Sequence, residues 1–209
     1  MIKIANSFFL VLCGFCIGSA CHAETEKWQL VKEEAGIKIY KYNSADAEIV
    51  KAKGTVRIKS PISAVEKIIN DIEYRHKWIP YLERSQLIQR KSEVESVEYS
   101  LFSAPWPVSD RDFLYSLERI EDQAMSKVYR MKSVSSQRMP EIKSAIRAEL
   151  YESVYTITEI EDGNTQVELS FHADLKGWIP NWISNVIQRA VPYKTLFNLR
   201  NELNKRNNP

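Results

Sequence analysis

From Ile37 to Lys59 apolar and polar positions alternate with a period of two. Ile37, Ile39 and Lys41 share one face, with Lys38, Tyr40 and Tyr42 on the other, and from Ile49 onward Val56 and Ile58 alternate with Arg57 and Lys59. Two strands are predicted. At Ser60-Pro61 the period changes. Ile62, Val65, Ile68, Ile69 and Ile72 recur at helical spacing, with Ser60 as N-cap and Pro61 at the first helical position, so a helix is predicted that covers something and ends near Asp71 to Tyr74. His76-Lys77-Trp78-Ile79-Pro80 follows it. Upstream, Glu26 to Ala35 is predicted as a short helix carrying Trp28 and Leu30 and stopped by Gly36.

Beyond Glu83 the pattern is mostly strand, with predicted segments at 84–91, 94–103, 111–120, 126–134, 146–158 and 165–173. Their links carry turn chemistry (Glu-Asp, Arg-Met-Pro-Glu, Glu-Asp-Gly-Asn). Short links of this kind predict an antiparallel meander that twists and curls. Gly177 then marks a turn, Pro180 stands at a first helical position, and a helix of roughly 20 residues follows. Its stripe of Trp182, Ile183, Val186, Ile187, Ala190, Tyr193 and Phe197 must be buried against the sheet. Pro192 falls inside this helix and disturbs the turn back to Gln188, as a hinge or as a bend that follows the sheet. The tail Asn204 to Pro209 is expected to fray. The fold class is α+β, a curved antiparallel sheet wrapped around a long C-terminal helix.

Composition changes the picture at the N-terminus. Lys3, an apolar run from Phe8 to Ile17, and Gly18 to Ala23 have the order of a secretory signal peptide at residues 1–23. The run is too short to span ~30 Å of hydrocarbon comfortably. All three cysteines lie in this leader. Residues 24–209 would form a single cysteine-free domain, which excludes disulfides, thiolate nucleophiles and cysteine-ligated metals. Without disulfides or an N-x-S/T sequon the expected compartment is the periplasm, or the medium for a secreted product. Of 29 Lys and Arg, Lys3 leaves with the leader, and 28 face 27 Asp and Glu. The basic residues are scattered, so no nucleic-acid footprint is visible. What this protein holds is expected to be gripped by apolar surface.

Three stretches carry more than periodicity. They are Asp174-Leu175-Lys176-Gly177-Trp178-Ile179-Pro180, Pro105-Trp106-Pro107-Val108-Ser109-Asp110-Arg111-Asp112-Phe113, and Ile146-Arg147-Ala148-Glu149. Together with Trp78 they resemble the words of the StAR-related lipid-transfer (START) domain family, over Trp28 to about Arg200. The resemblance implies a helix-grip fold. Its C-terminal helix roofs an apolar tunnel, and the tunnel binds one lipid. The loop with Trp106 and Arg111, and the turn with Trp178 and Ile179, would form the tunnel mouth.

Phe113, Tyr115 and Leu117 share one strand face, and with Trp182, Val186, Ala190 and Phe197 they are the apolar candidates for the tunnel lining. In sterol-carrying members an acidic residue matching Glu98 faces an arginine, but Leu117 stands at that arginine's position here. Glu98 therefore needs another partner or faces solvent. Arg147 is the candidate partner, with an ion pair at the strand edge as the alternative. Trp178 and Trp182 suit either the core or a transient membrane contact. No GxSxG, P-loop, HExxH or dinucleotide-binding glycine motif is present, and His76 and His172 are far apart. The expectation is a monomeric, non-enzymatic lipid carrier with no cofactor, no metal and no nucleic-acid partner. Phospholipid or fatty acid is favoured over sterol. A helix-grip enzyme acting on a hydrophobic substrate and a lipid-sensing envelope partner are the alternatives.

Overall fold

The computed structural model describes residues 28–42 and 48–207; the predicted leader lies outside them. The strands are β1 (Trp28–Glu34), β2 (Ile37–Tyr42), β3 (Ile49–Ile58), β4 (Leu82–Arg90), β5 (Glu95–Phe102), β6 (Asp110–Gln123), β7 (Ser126–Ser133), β8 (Ala145–Arg147), β9 (Glu149–Ile160) and β10 (Asn164–Asp174). Helix α1 (Ile62–Asn70) follows β3, and helix α2 (Asn181–Asn207) ends the chain's described part. One sheet holds all ten strands in the order β1-β2-β3-β10-β9-β7-β6-β5-β4, with β8 pairing β6. The inward face reads in the alternation itself. On β3, Val50, Ala52, Val56 and Ile58 are buried, whereas Lys51, Lys53 and Arg57 point outward.

Three expectations are corrected here. The described part of Glu26–Ala35 is strand β1, not helix, and it pairs antiparallel with β2. Ala35 and Gly36, with φ of 51° and 73°, form a two-residue hairpin turn. Pairing with β2 overrides the helix propensity of the Lys-Glu-Glu stretch, and Gly36 is a hairpin glycine rather than a helix stop. The predicted strand 146–158 divides at Ala148: β8 runs parallel to β6, and β9 leaves to pair with β7 and β10. Nor is the sheet a simple meander. β3 pairs with β10, and the chain crosses through α1 to the far edge, which joins its two halves into one curved surface.

Helix α1 starts at Ile62, with Pro61 rather than Ser60 at the N-cap position. Ser60 is buried, and its carbonyl accepts a hydrogen bond from Thr165 Oγ1 at 2.7 Å. Helix α2 is unbroken through Pro192 and longer than expected, 27 residues. The expected fraying from Asn204 is absent through Asn207, because Leu203 is fully buried and anchors the last turns. Helix α2 lies across β2 and β3 on the concave side. It packs over Gly54, where an added Cβ would stand 2.6 Å from Ile39 Cδ1 and 2.8 Å from Leu196 Cδ1.

Candidate functional site

The C-terminal half of α2 is packed solid: Leu196, Leu199 and Leu203 are fully buried against the core. Its N-terminal half is not. Between residues 182–195 of α2 and the concave face lies a cavity of about 470 Å³, with an almost wholly apolar lining. That size is typical of a site for one small organic ligand. Phe113, Tyr115 and Leu117 line it from β6, Leu169, Phe171 and Ala173 from β10, and Trp182, Ile183, Val186, Ile187, Val191 and Thr195 from α2.

Polar groups gather at one end. Arg75 lies in a single 3-10 turn, Arg75–Lys77, between α1 and β4, and it lines the cavity. Its Nη1 donates to Glu98 Oε2 at 2.5 Å and to Tyr115 Oη at 3.3 Å, while its Nε donates to the Ile69 carbonyl at 2.9 Å. Ser96 Oγ donates to Glu98 Oε1 at 2.9 Å, and the hydroxyls of Ser100 and Tyr115 lie 3.0 Å apart. Arg75 and Glu98 are both almost fully buried. Burial works against the guanidinium charge, but Glu98, together with the neighbouring Tyr115 and Tyr155, outweighs it and holds Arg75 above its ordinary pKa. Burial also raises the pKa of Tyr115 and Tyr155, so both stay protonated donors.

The other end is the mouth. It is bounded by Ile79-Pro80-Tyr81, by Ser103-Ala104-Pro105 and by the first turns of α2. The Ser103 amide donates to the Tyr81 carbonyl at 2.9 Å and ties two of these segments together. Arg111 ties in the third. It is buried, donates through Nε to the Leu175 carbonyl at 3.0 Å and through Nη2 to the Lys176 carbonyl at 2.8 Å, and also holds the Ser109 carbonyl. These bonds clamp the turn that launches α2, where Gly177 supplies a φ of 69°.

Each candidate residue now has a position. Phe113, Tyr115, Leu117, Trp182, Val186 and Arg111 lie on the cavity wall. Glu98 is not on the wall; it stands behind Arg75. Arg147 is not the partner of Glu98, a correction. It makes a two-pronged bond to the fully buried Asp112, at 3.0 Å from each of Nε and Nη2, because β8 sits beside β6 with Asp112 opposite Arg147. Ala190 and Phe197 are also off the wall. The lining face of α2 runs 183–187–191–195, so these two are turned aside, and Phe197 stacks on Tyr193 at 5.9 Å. Ile179 is buried in the core rather than at the mouth, while Trp106 and Trp178 are largely exposed. Sequence reasoning missed Arg75. The available signal was the need of Glu98 for a cation, met by an arginine one turn before the buried Trp78.

A curved sheet roofed by one long helix, with an open, largely apolar interior and a buried polar group at Arg75, defines a helix-grip lipid-binding domain. The START domain model matches residues 19–206, and the chain belongs to that family. It is 28% identical to an uncharacterised protein of Pseudomonas aeruginosa, over 94% of this chain and 96% of that one. It is also 28% identical to the mouse phosphatidylcholine transfer protein, over 79% of this chain and 78% of the relative. A solved STAR-related lipid transfer protein from Xanthomonas axonopodis, 28% identical, superposes with a TM-score of 0.73 over 85% of this chain and 99% of the other.

Proposed function

We propose that this START domain is a non-enzymatic carrier that holds one phospholipid or fatty acid, its polar head at Arg75 and its acyl part under α2. The observation that carries this reading is a largely apolar cavity with a buried hydrogen-bonding group at Arg75, Tyr115 and Ser100. Arg75 and the two tyrosines are donors, which suits a phosphate or carboxylate head better than a sterol hydroxyl. Leu117, in place of an arginine, argues the same way. The similarity to a phosphatidylcholine transfer protein makes phosphatidylcholine the first ligand to test.

Release requires the mouth to meet a bilayer, at least transiently. Trp182 (55% exposed) lines the cavity, Trp106 (91%) follows Pro105 and Trp178 (66%) precedes α2 in the chain, and tryptophan partitions into the membrane interface. The leader read at residues 1–23 supports action in the periplasm or outside the cell, which fractionation tests.

The test of function is movement of fluorescent phosphatidylcholine, or of a fluorescent fatty acid, between donor and acceptor vesicles. The protein is expected to accelerate transfer of at least one, and the paired substitution Arg75→Met with Glu98→Leu to abolish it. No acceleration of either ligand by the unaltered protein would overturn the proposal.

A further inference from the structure

On the outer face of the sheet, close to the mouth, lysines and aromatic rings interleave across β1, β2 and β3. Lys51 Nζ lies 5.2 Å from the Trp28 ring centre and 4.7 Å from that of Tyr42. Lys53 Nζ lies 4.6 Å from Trp28 and 5.6 Å from Tyr40. Trp28 and Tyr42 meet edge to face at 5.7 Å. Among the described residues, these ammonium groups contact ring faces rather than carboxylates.

This patch lies at the same end of the sheet as the mouth, on the opposite face from the cavity. Lys51 lies between Val50, on the cavity wall, and Ala52, and Ile49 pairs with Asp174 just before the turn into α2. Gln188 of α2, its amide oxygen towards Ser184 Oγ, donates to the backbone carbonyls of Lys51 at 3.1 Å and Tyr42 at 3.2 Å. The next residue, Arg189, is exposed on the same helix side as Trp182 and Val186.

We infer that Lys51 and Lys53, with the Trp28 and Tyr42 rings, form a docking surface for anionic phospholipid bilayers, one that sets the mouth against the membrane. The inference rests on the proposed lipid-carrying function. Cations within a Debye length of an anionic surface feel its potential, and tryptophan and tyrosine seat at head-group depth. Interleaved bases and rings also suit a single-stranded nucleic acid. The outer face argues against that. A strand running across it from Lys51 and Lys53 meets Glu152, beside His172, and then Glu168.

The test is binding to vesicles of phosphatidylcholine alone and to an equal mixture of phosphatidylcholine and phosphatidylglycerol. The protein is expected to prefer the mixture, the preference falling as salt rises. Lys51→Gln with Lys53→Gln is expected to weaken binding to the mixture by roughly thirty-fold, with little effect on the neutral vesicles and none on the lipid carried inside, read by native mass spectrometry. Equal binding of both vesicle types, an unaffected double variant, or tighter binding of a single-stranded oligonucleotide than of the mixture would overturn the docking surface. A protein that discriminates the vesicles yet never holds lipid keeps the docking surface and refutes the carrier function.

Discussion

Arg75 and Glu98 form a 2.5 Å ion pair at the closed end of the cavity, both side chains 6% exposed. Each charge has lost its water and has only the other, plus neighbouring hydroxyls and the Ile69 carbonyl, in its place. Removing one partner strands the other. Glu98→Ala is therefore expected to destabilise the fold by about 3–5 kcal/mol, measured by urea unfolding. Arg75→Met with Glu98→Leu is expected to cost far less, or to stabilise, while losing the head-group anchor. If the double variant carries lipid normally, the pair is structural only.

Gly54 is the contact point of helix and sheet. Ile39 and Leu196 are both fully buried, and their Cδ1 methyls must shift to admit a Cβ. Gly54→Ala is expected to overpack this point and cost about 1–3 kcal/mol, seen as a lower unfolding midpoint.

The Arg111 clamp holds the turn before α2 through two backbone carbonyls, those of Leu175 and Lys176, and its own loop through that of Ser109. Arg111→Lys keeps the charge but loses the planar fork. Hydrogen exchange at residues 175–187 is expected to quicken, with the C-terminal turns around Leu199 unchanged.

His172 sits against Tyr151, ring centres 4.8 Å apart. Burial, and then the charge of Lys51, pull its pKa below the ordinary 6.5. The unfolded chain therefore binds the proton more readily, and His172 stabilises the fold least in acid. Its contribution is expected to be lost as pH falls from about 6.5 through the folded pKa. Nuclear magnetic resonance titration of the ring checks this directly, and Lys51→Gln is expected to raise the folded value.

Much of this was legible before the structure. The alternation of β3, the spacing of α1 and the words around Arg111, Arg147 and Gly177 were enough for the helix-grip class, because each reflects local chemistry. The Trp28–Glu34 segment was not legible. Its composition favours helix, and only pairing with a partner strand makes it β. The Arg75–Glu98 pair also escaped, because residues 23 positions apart meet only once the sheet has curled. Arg147 looked equally suitable as a partner until β8 was seen to run beside β6.

Native mass spectrometry of the purified protein, followed by analysis of the released lipid, bears most directly on the interior. The account expects a one-to-one complex with a phospholipid or fatty acid, lost when Arg75 and Glu98 are replaced together. Protein that emerges bare, and stays bare after incubation with phosphatidylcholine vesicles and with free fatty acid, would contradict it.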